Sequence, residues 1–154
     1  MKALKFTSKW EGWYSDDKTD PGGKTKFGVS DMGDGTMDGL IDIDRNGTGD
    51  VPVPDLTWEQ AINIYYKSYW LAAKCNDLSL ADAVARFDAA VNCGVSVARG
   101  WGTDYKMINT NRKMYYMRII QKKPALNKYH KGWLNRLVDL AKYCDILTVE
   151  ASGS

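Results

Sequence analysis

Glu11 lies in Lys9-Trp10-Glu11-Gly12-Trp13-Tyr14, and Asp20 follows in Asp20-Pro21-Gly22-Gly23-Lys24-Thr25. One carboxyl among three aromatic rings and a second on a glycine turn are the parts needed for acid-assisted hydrolysis of a glycosidic bond. That reaction uses an acid that apolar surroundings keep protonated near neutral pH, and a second group that stays ionised or positions water. Glu11 suits the first role and Asp20 the second. Both residues also have plainer readings. A Glu at a helix end beside aromatics can be a partly solvated surface residue, and Asp commonly opens a turn before Pro-Gly.

A second constellation is the run from Asp42 to Asp50. Asp42, Asp44 and Asn46 place oxygen ligands at the spacing of the first half of an EF-hand calcium loop, with Gly47 at its sixth position, and Asp50 offers a further one. The second half departs from that pattern, because Val53 stands where a bidentate Glu belongs and Pro52 and Pro54 do not continue into a helix. A calcium site here would need a distant carboxylate from Asp31, Asp34, Asp38 or Asp55. The alternative is an Asp/Gly-rich turn that holds no metal.

These groups must be positioned by a mainly α-helical chain. Residues 2–11 read as a short helix with Leu4, Phe6 and Trp10 as apolar contacts, stopped by Gly12, which puts Glu11 at a helix end. Residues 14–56 read as a long irregular Gly/Asp-rich insertion with at most a short β-hairpin, at Thr25 to Val29. Thr57-Trp58-Glu59-Gln60 is a capping box opening a helix to about Ala73, and Ser79-Leu80-Ala81-Asp82 looks like a second such device. The helix it opens carries Ala83, Val84, Phe87, Ala90 and Val91 on one side and ends near Gly94. A third helix is expected from about Asn109 to Lys122, before Pro124. A fourth carries Leu126, Tyr129, Trp133, Leu134, Leu137, Leu140, Ala141 and Cys144, and Ala151 to Ser154 look like a frayed tail. Of the aromatic residues, most of Trp58, Tyr65, Tyr69, Trp70, Trp133 and Tyr143 are expected in the core.

With 154 residues, 44% hydrophobic and 26% charged, the composition is that of a globular domain able to bury a core without staples. The net charge of +2 hides an asymmetry: the front of the chain is acidic and the back is basic. A basic back half is compatible with nucleic acid, anionic lipid, acidic wall polymers or simply solvated helix faces. Cys75, Cys93 and Cys144 are odd in number and lack metal-ligand spacing, so reduced, buried thiols are expected. The first residues lack the apolar core of a signal peptide, and no apolar run is long enough to span a bilayer. The chain is therefore expected to be made in the cytoplasm, with no stable membrane insertion.

The run Glu11-Gly12-Trp13-Tyr14, then Asp20-Pro21-Gly22-Gly23, Thr25 and Phe27-Gly28-Val29, resembles the signature of the glycoside hydrolase family 108 muramidases. Tyr65 to Trp70, Phe87-Asp88-Ala89-Ala90-Val91-Asn92-Cys93-Gly94 and Lys131-Gly132-Trp133-Leu134-Asn135-Arg136 also resemble that family and its carboxy-terminal peptidoglycan-associated region. Trp13 departs from the pattern, since the family commonly has a second glycine there.

The resemblance implies a single lysozyme-like domain, with residues 1–96 as the catalytic lobe and 97–150 as a helical peptidoglycan-associated lobe. It implies hydrolysis of the β-1,4 bond between N-acetylmuramic acid and N-acetylglucosamine by a phage endolysin. Glu11 would be the general acid, Asp20 the base or electrostatic stabiliser, and Thr25 a water-positioning partner. Tyr14, Asp88 and Asn92 would line the cleft, or else serve helix packing and polar satisfaction. Catalysis would need no cofactor, with calcium only structural. The expected partner is peptidoglycan and not nucleic acid. The expected form is a monomer that reaches the wall through a holin-type pore. The rivals are a lytic transglycosylase acting on the same bond and a non-catalytic, calcium-dependent cell-wall binding module.

Overall fold

The computed structural model describes residues 2–11, 25–30 and 39–153. The chain is mainly α-helical, and it divides into two compact units: Met1–Thr7 with Tyr69–Ser154, and Ser8–Ser68.

The larger unit is built on α3 (Leu80–Cys93). Sequence periodicity gives this helix one apolar side, but burial runs without a break from Ala83 to Ala90. It is packed by α4 (Val95–Arg99), α5 (Tyr105–Lys122) and α6 (His130–Ser152). A helix enclosed in this way needs small residues where neighbours approach, and Ala81, Ala83, Ala85, Ala89 and Ala90 supply them. Gly94 ends α3 with φ +109, a conformation that costs glycine little. The second capping device takes another form: the Ser79 hydroxyl donates to the Asp82 carboxylate at 2.6 Å and caps no backbone amide.

α5 begins four residues earlier than the periodicity suggests, because Asp104 caps it by accepting from the Lys106 and Met107 amides. A 3₁₀ segment, Pro124–Tyr129, separates α5 from α6. α6 continues to Ser152, so Ala151 and Ser152 are helical and not a frayed tail. In the first helix, α1 (Lys2–Glu11), Ala3, Leu4, Phe6 and Thr7 are buried. Phe6 stacks on Tyr143, whose hydroxyl donates to the Lys2 carbonyl.

The smaller unit centres on Ile41, Val53, Leu56 and Ala61. The expected hairpin is present as β1 (Thr25–Lys26) paired antiparallel with β2 (Val29–Ser30). Its two turn residues, Phe27 and Gly28, both have positive φ, as a two-residue turn matched to strand twist requires. Phe27 is strained in that conformation, but its ring packs edge-on against Trp58 at 5.2 Å and its carbonyl accepts from the Tyr65 hydroxyl.

A second antiparallel pair, β3 (Leu40–Ile41) with β4 (Val51–Pro52), closes the 42–50 loop. The sequence pattern does not reveal it, since two-residue strands have no periodicity to read. α2 (Trp58–Tyr65) carries the full capping box, with the Thr57 hydroxyl accepting from the Gln60 amide and the Gln60 side chain accepting from the Thr57 amide. The chain stays helical beyond it as a wider π-type turn, Tyr66–Leu71. Among the six aromatics expected in the core, Tyr65 is buried and the other five are half-buried, as large rings often are.

Candidate functional site

Glu11 is the last residue of α1 and is half-buried, next to the half-buried Trp10. The Lys9 ammonium lies 5.9 Å from the centre of the Trp10 ring. Thr7 and Glu11 are four residues apart on α1, so their side chains leave the helix on one face. Asp20 and Tyr14 lie outside the described residues, and of Thr25 only the backbone, in β1 and paired with Ser30 of β2, is described.

Asp88 and Asn92 sit one turn apart on α3 in a closed polar network. Asp88 is fully buried and both of its oxygens are engaged. The Thr7 hydroxyl and Arg136 Nη2 donate to Oδ1 at 2.8 and 2.7 Å, while Arg112 Nη1 and Arg136 Nε donate to Oδ2 at 2.8 and 3.0 Å. Burial by itself pushes this carboxyl up, but Arg112 and Arg136 overcome it and hold the group below the ordinary aspartate value. Two guanidinium groups thus converge on one buried carboxylate. Neutral acceptors take up the other two Arg112 nitrogens: Arg112 Nη2 reaches Asn92 Oδ1 at 3.1 Å and Arg112 Nε reaches the Tyr116 hydroxyl at 2.8 Å. Tyr116 in turn donates to Asn92 Oδ1 and stacks on Trp133 with ring centres 4.8 Å apart.

Sequence reasoning singled out Asp88 and Asn92 but missed Thr7, Arg112, Tyr116 and Arg136. A signal was present. Buried positions on α5 are Tyr105, Ile108, Arg112 and Tyr116, so an arginine occupies a place in the apolar stripe. Arg136 likewise falls among the buried positions Leu137 and Leu140 of α6. A long cation at a core position implies a buried acceptor.

The Asp42–Asp50 loop has the opposite character. Carboxylate oxygens of Asp42, Asp44 and Asp50 lie within 4.8 Å of one another, with Asp42 half-buried and the other two exposed. Backbone amides hold them: Asn46 and Gly47 donate to Asp42, and Ile43 and Asp44 donate to Asp50. For Asp42, slight desolvation is outweighed by the Gly47 and Asn46 amides, and its carboxyl is lowered. For Asp44, desolvation comes first, and repulsion from Asp50 adds to it against the Asn46 amide, so its carboxyl is raised. Arg45 and Gly47 both take positive φ to turn the loop inward. This exposed triad of hard oxygen donors could bind a metal ion.

The three cysteines are free. Burial pushes the Cys75 and Cys144 thiols up to about 12, which leaves both in the unreactive protonated form at neutral pH. No described helix is long and apolar enough to cross a membrane.

The family model for glycosyl hydrolase 108 matches residues 4–94. The matched span runs from α1 through α3 and closes at Gly94; it includes Glu11, the acidic loop, Asp88 and Asn92. No curated protein and no solved structure matches the chain.

Proposed function

The chain belongs to glycosyl hydrolase family 108, and from that membership we propose that it is an N-acetylmuramidase. It hydrolyses the β-1,4 bond between N-acetylmuramic acid and N-acetylglucosamine in peptidoglycan and serves as a phage endolysin. The observation that carries this reading is the family match over residues 4–94, which spans the Glu11 motif. Glu11 donates a proton to the glycosidic oxygen as the bond breaks. Asp20 stays ionised to stabilise positive charge on the sugar or to activate water, and Thr25 helps to position that water. Water completes the sugar product, and its proton restores the acid.

Asp88 serves this chemistry as a positioning residue, since its oxygens are occupied by Thr7, Arg112 and Arg136. Tyr14 and Asn92 belong to the substrate cleft in the same scheme. Residues 1–96 form the catalytic lobe and 97–150 the peptidoglycan-associated one, and a holin-type pore admits the enzyme to the wall. The Asp42–Asp50 loop holds calcium for structure, because a hard cation relieves repulsion between carboxylates while proton transfer to a sugar oxygen needs no metal.

The test is Glu11→Gln, a nearly isosteric change that removes the proton. Clearing of purified cell walls should fall by at least about 10²–10⁴-fold at unchanged helicity. Retention of more than roughly a tenth of the wild-type rate would take Glu11 out of the mechanism, since a lost general acid costs far more than that. Mass spectrometry of the released fragments should show reducing ends; anhydro-sugar ends would establish the transglycosylase reaction instead.

A further inference from the structure

The exposed side of α5 has no place in the hydrolase chemistry and is organised in its own right. Met107, Met114 and Met117 are 54%, 49% and 48% exposed, where a soluble helix ordinarily shows polar groups. At helical spacing the three fall on one stripe, which they share with the exposed Thr110 and Gln121. Lys106 and Lys113 run along one edge of that stripe, and Arg118 and Lys122 run along the other; all four are exposed. The buried stripe of the same helix, with Ile108, Arg112 and Tyr116, faces away from it. Beyond the first turn, where the Asp104 carboxylate caps the Lys106 and Met107 amides, the charge along the face has one sign, since residues 105–138 contain no Asp or Glu. The two arginines in that segment that answer an acid, Arg112 and Arg136, are turned inward to Asp88.

We propose that this face of α5 docks on an anionic phospholipid surface. A stripe of flexible thioethers bordered on both sides by long cationic stems is the cross-section of a helix lying in the bilayer interface. The apolar groups reach below the headgroups, and the lysine and arginine stems run up to leave their charges among the phosphates. The charge complementarity is with the bilayer, and the stripe decides against other polyanions. A nucleic acid backbone would be met by the cations alone and has no use for exposed methionines. A sugar polymer would be met by aromatic faces, and no aromatic residue lies between the methionines on this stripe. The helix lies on the surface and does not span it, consistent with the absence of a membrane-crossing helix among the described residues. Docking of this kind would hold a wall hydrolase close to the membrane face nearest its substrate, and it does not depend on which bond the enzyme cuts.

The full chain should be cosedimented with vesicles of equal parts phosphatidylglycerol and phosphatidylethanolamine, and separately with pure phosphatidylcholine vesicles. Binding should be at least about tenfold tighter to the anionic vesicles and should weaken with salt. The combined Lys113→Gln, Arg118→Gln, Lys122→Gln variant should lose on the order of 100-fold, at roughly fivefold per cation. The combined Met107→Gln, Met114→Gln, Met117→Gln variant preserves side-chain length and helix propensity while removing apolar character, and it should lose at least about tenfold. Circular dichroism should be unchanged in both, and the single Met114→Gln variant gives the same reading in smaller degree if the triple variant misfolds. Equal binding to both vesicle types, or full binding by the methionine variant, would overturn the proposal. So would capture by purified sacculi or duplex DNA, abolished by the same substitutions, in a protein that leaves vesicles alone.

Discussion

Asp88 and the Asp42–Asp50 loop are both sites where carboxylates gather polar partners, yet their partners differ in kind. Asp88 is sealed in the helical unit and answered by two guanidinium groups brought from α5 and α6, which are distant in sequence. The loop carboxylates are answered by backbone amides within eight residues of themselves, and two of the three are exposed. A carboxylate in the interior can be ionised only if fixed opposite charge replaces water, so it becomes a tie between elements. One at the surface keeps its hydration and stays available to an ion. The first arrangement contributes to folding; the second leaves an exposed triad that could bind a metal ion.

The strongest way to break that contrast is Asp88→Ala, which strands Arg112 and Arg136 in the interior. Stability should fall by about 3–5 kcal/mol, the usual cost of removing one member of a buried ion pair, read in urea unfolding of the full chain. A loss below roughly 1 kcal/mol would place Asp88 with the exposed carboxylates.

Acid should sharpen the same distinction. The folded Asp88 carboxyl is lowered from 3.8, so its stabilisation is fully present above that value and drains away as pH falls through the lower folded value. The wild-type melting temperature should therefore drop as pH falls below about 3.8, while Asp88→Ala should show a shallower decline. Parallel curves for the two proteins would remove Asp88 from the acid response.

At the loop, calcium at 100 times its dissociation constant should stabilise by about 2.7 kcal/mol through mass action, seen as a higher melting temperature that chelation reverses. Asp44→Ala should abolish that response and leave wall clearing at low temperature largely intact. Titration calorimetry showing no heat at millimolar calcium would make the loop a turn and nothing more. The smallest effect expected is at Thr57→Ala, which removes one half of the α2 capping box and should cost about 1 kcal/mol. A neutral result would show that the π-type turn beyond α2 governs this helix instead.

Local features were legible in the sequence because their causes are local. Thr57 and Gln60 marked the start of α2, and Gly94 marked the end of α3. The alternating oxygens of Asp42, Asp44 and Asn46 and the glycine at 47 likewise announced a turn whose carboxylates draw together. Each rests on backbone hydrogen bonds or allowed φ values within a few residues. The ordered motifs around Glu11 were enough to indicate the hydrolase family. Only tertiary structure decided the fate of Asp88. Its partners Thr7, Arg112 and Arg136 lie 81, 24 and 48 positions away, and no periodicity on α3 shows which charges will meet it. The same holds for the enclosure of α3 from Ala83 to Ala90 and for the outward stripe of Met107, Met114 and Met117. Whether an apolar residue is covered depends on which neighbours the fold supplies, and burial belongs to the packing of whole elements and not to the residue itself.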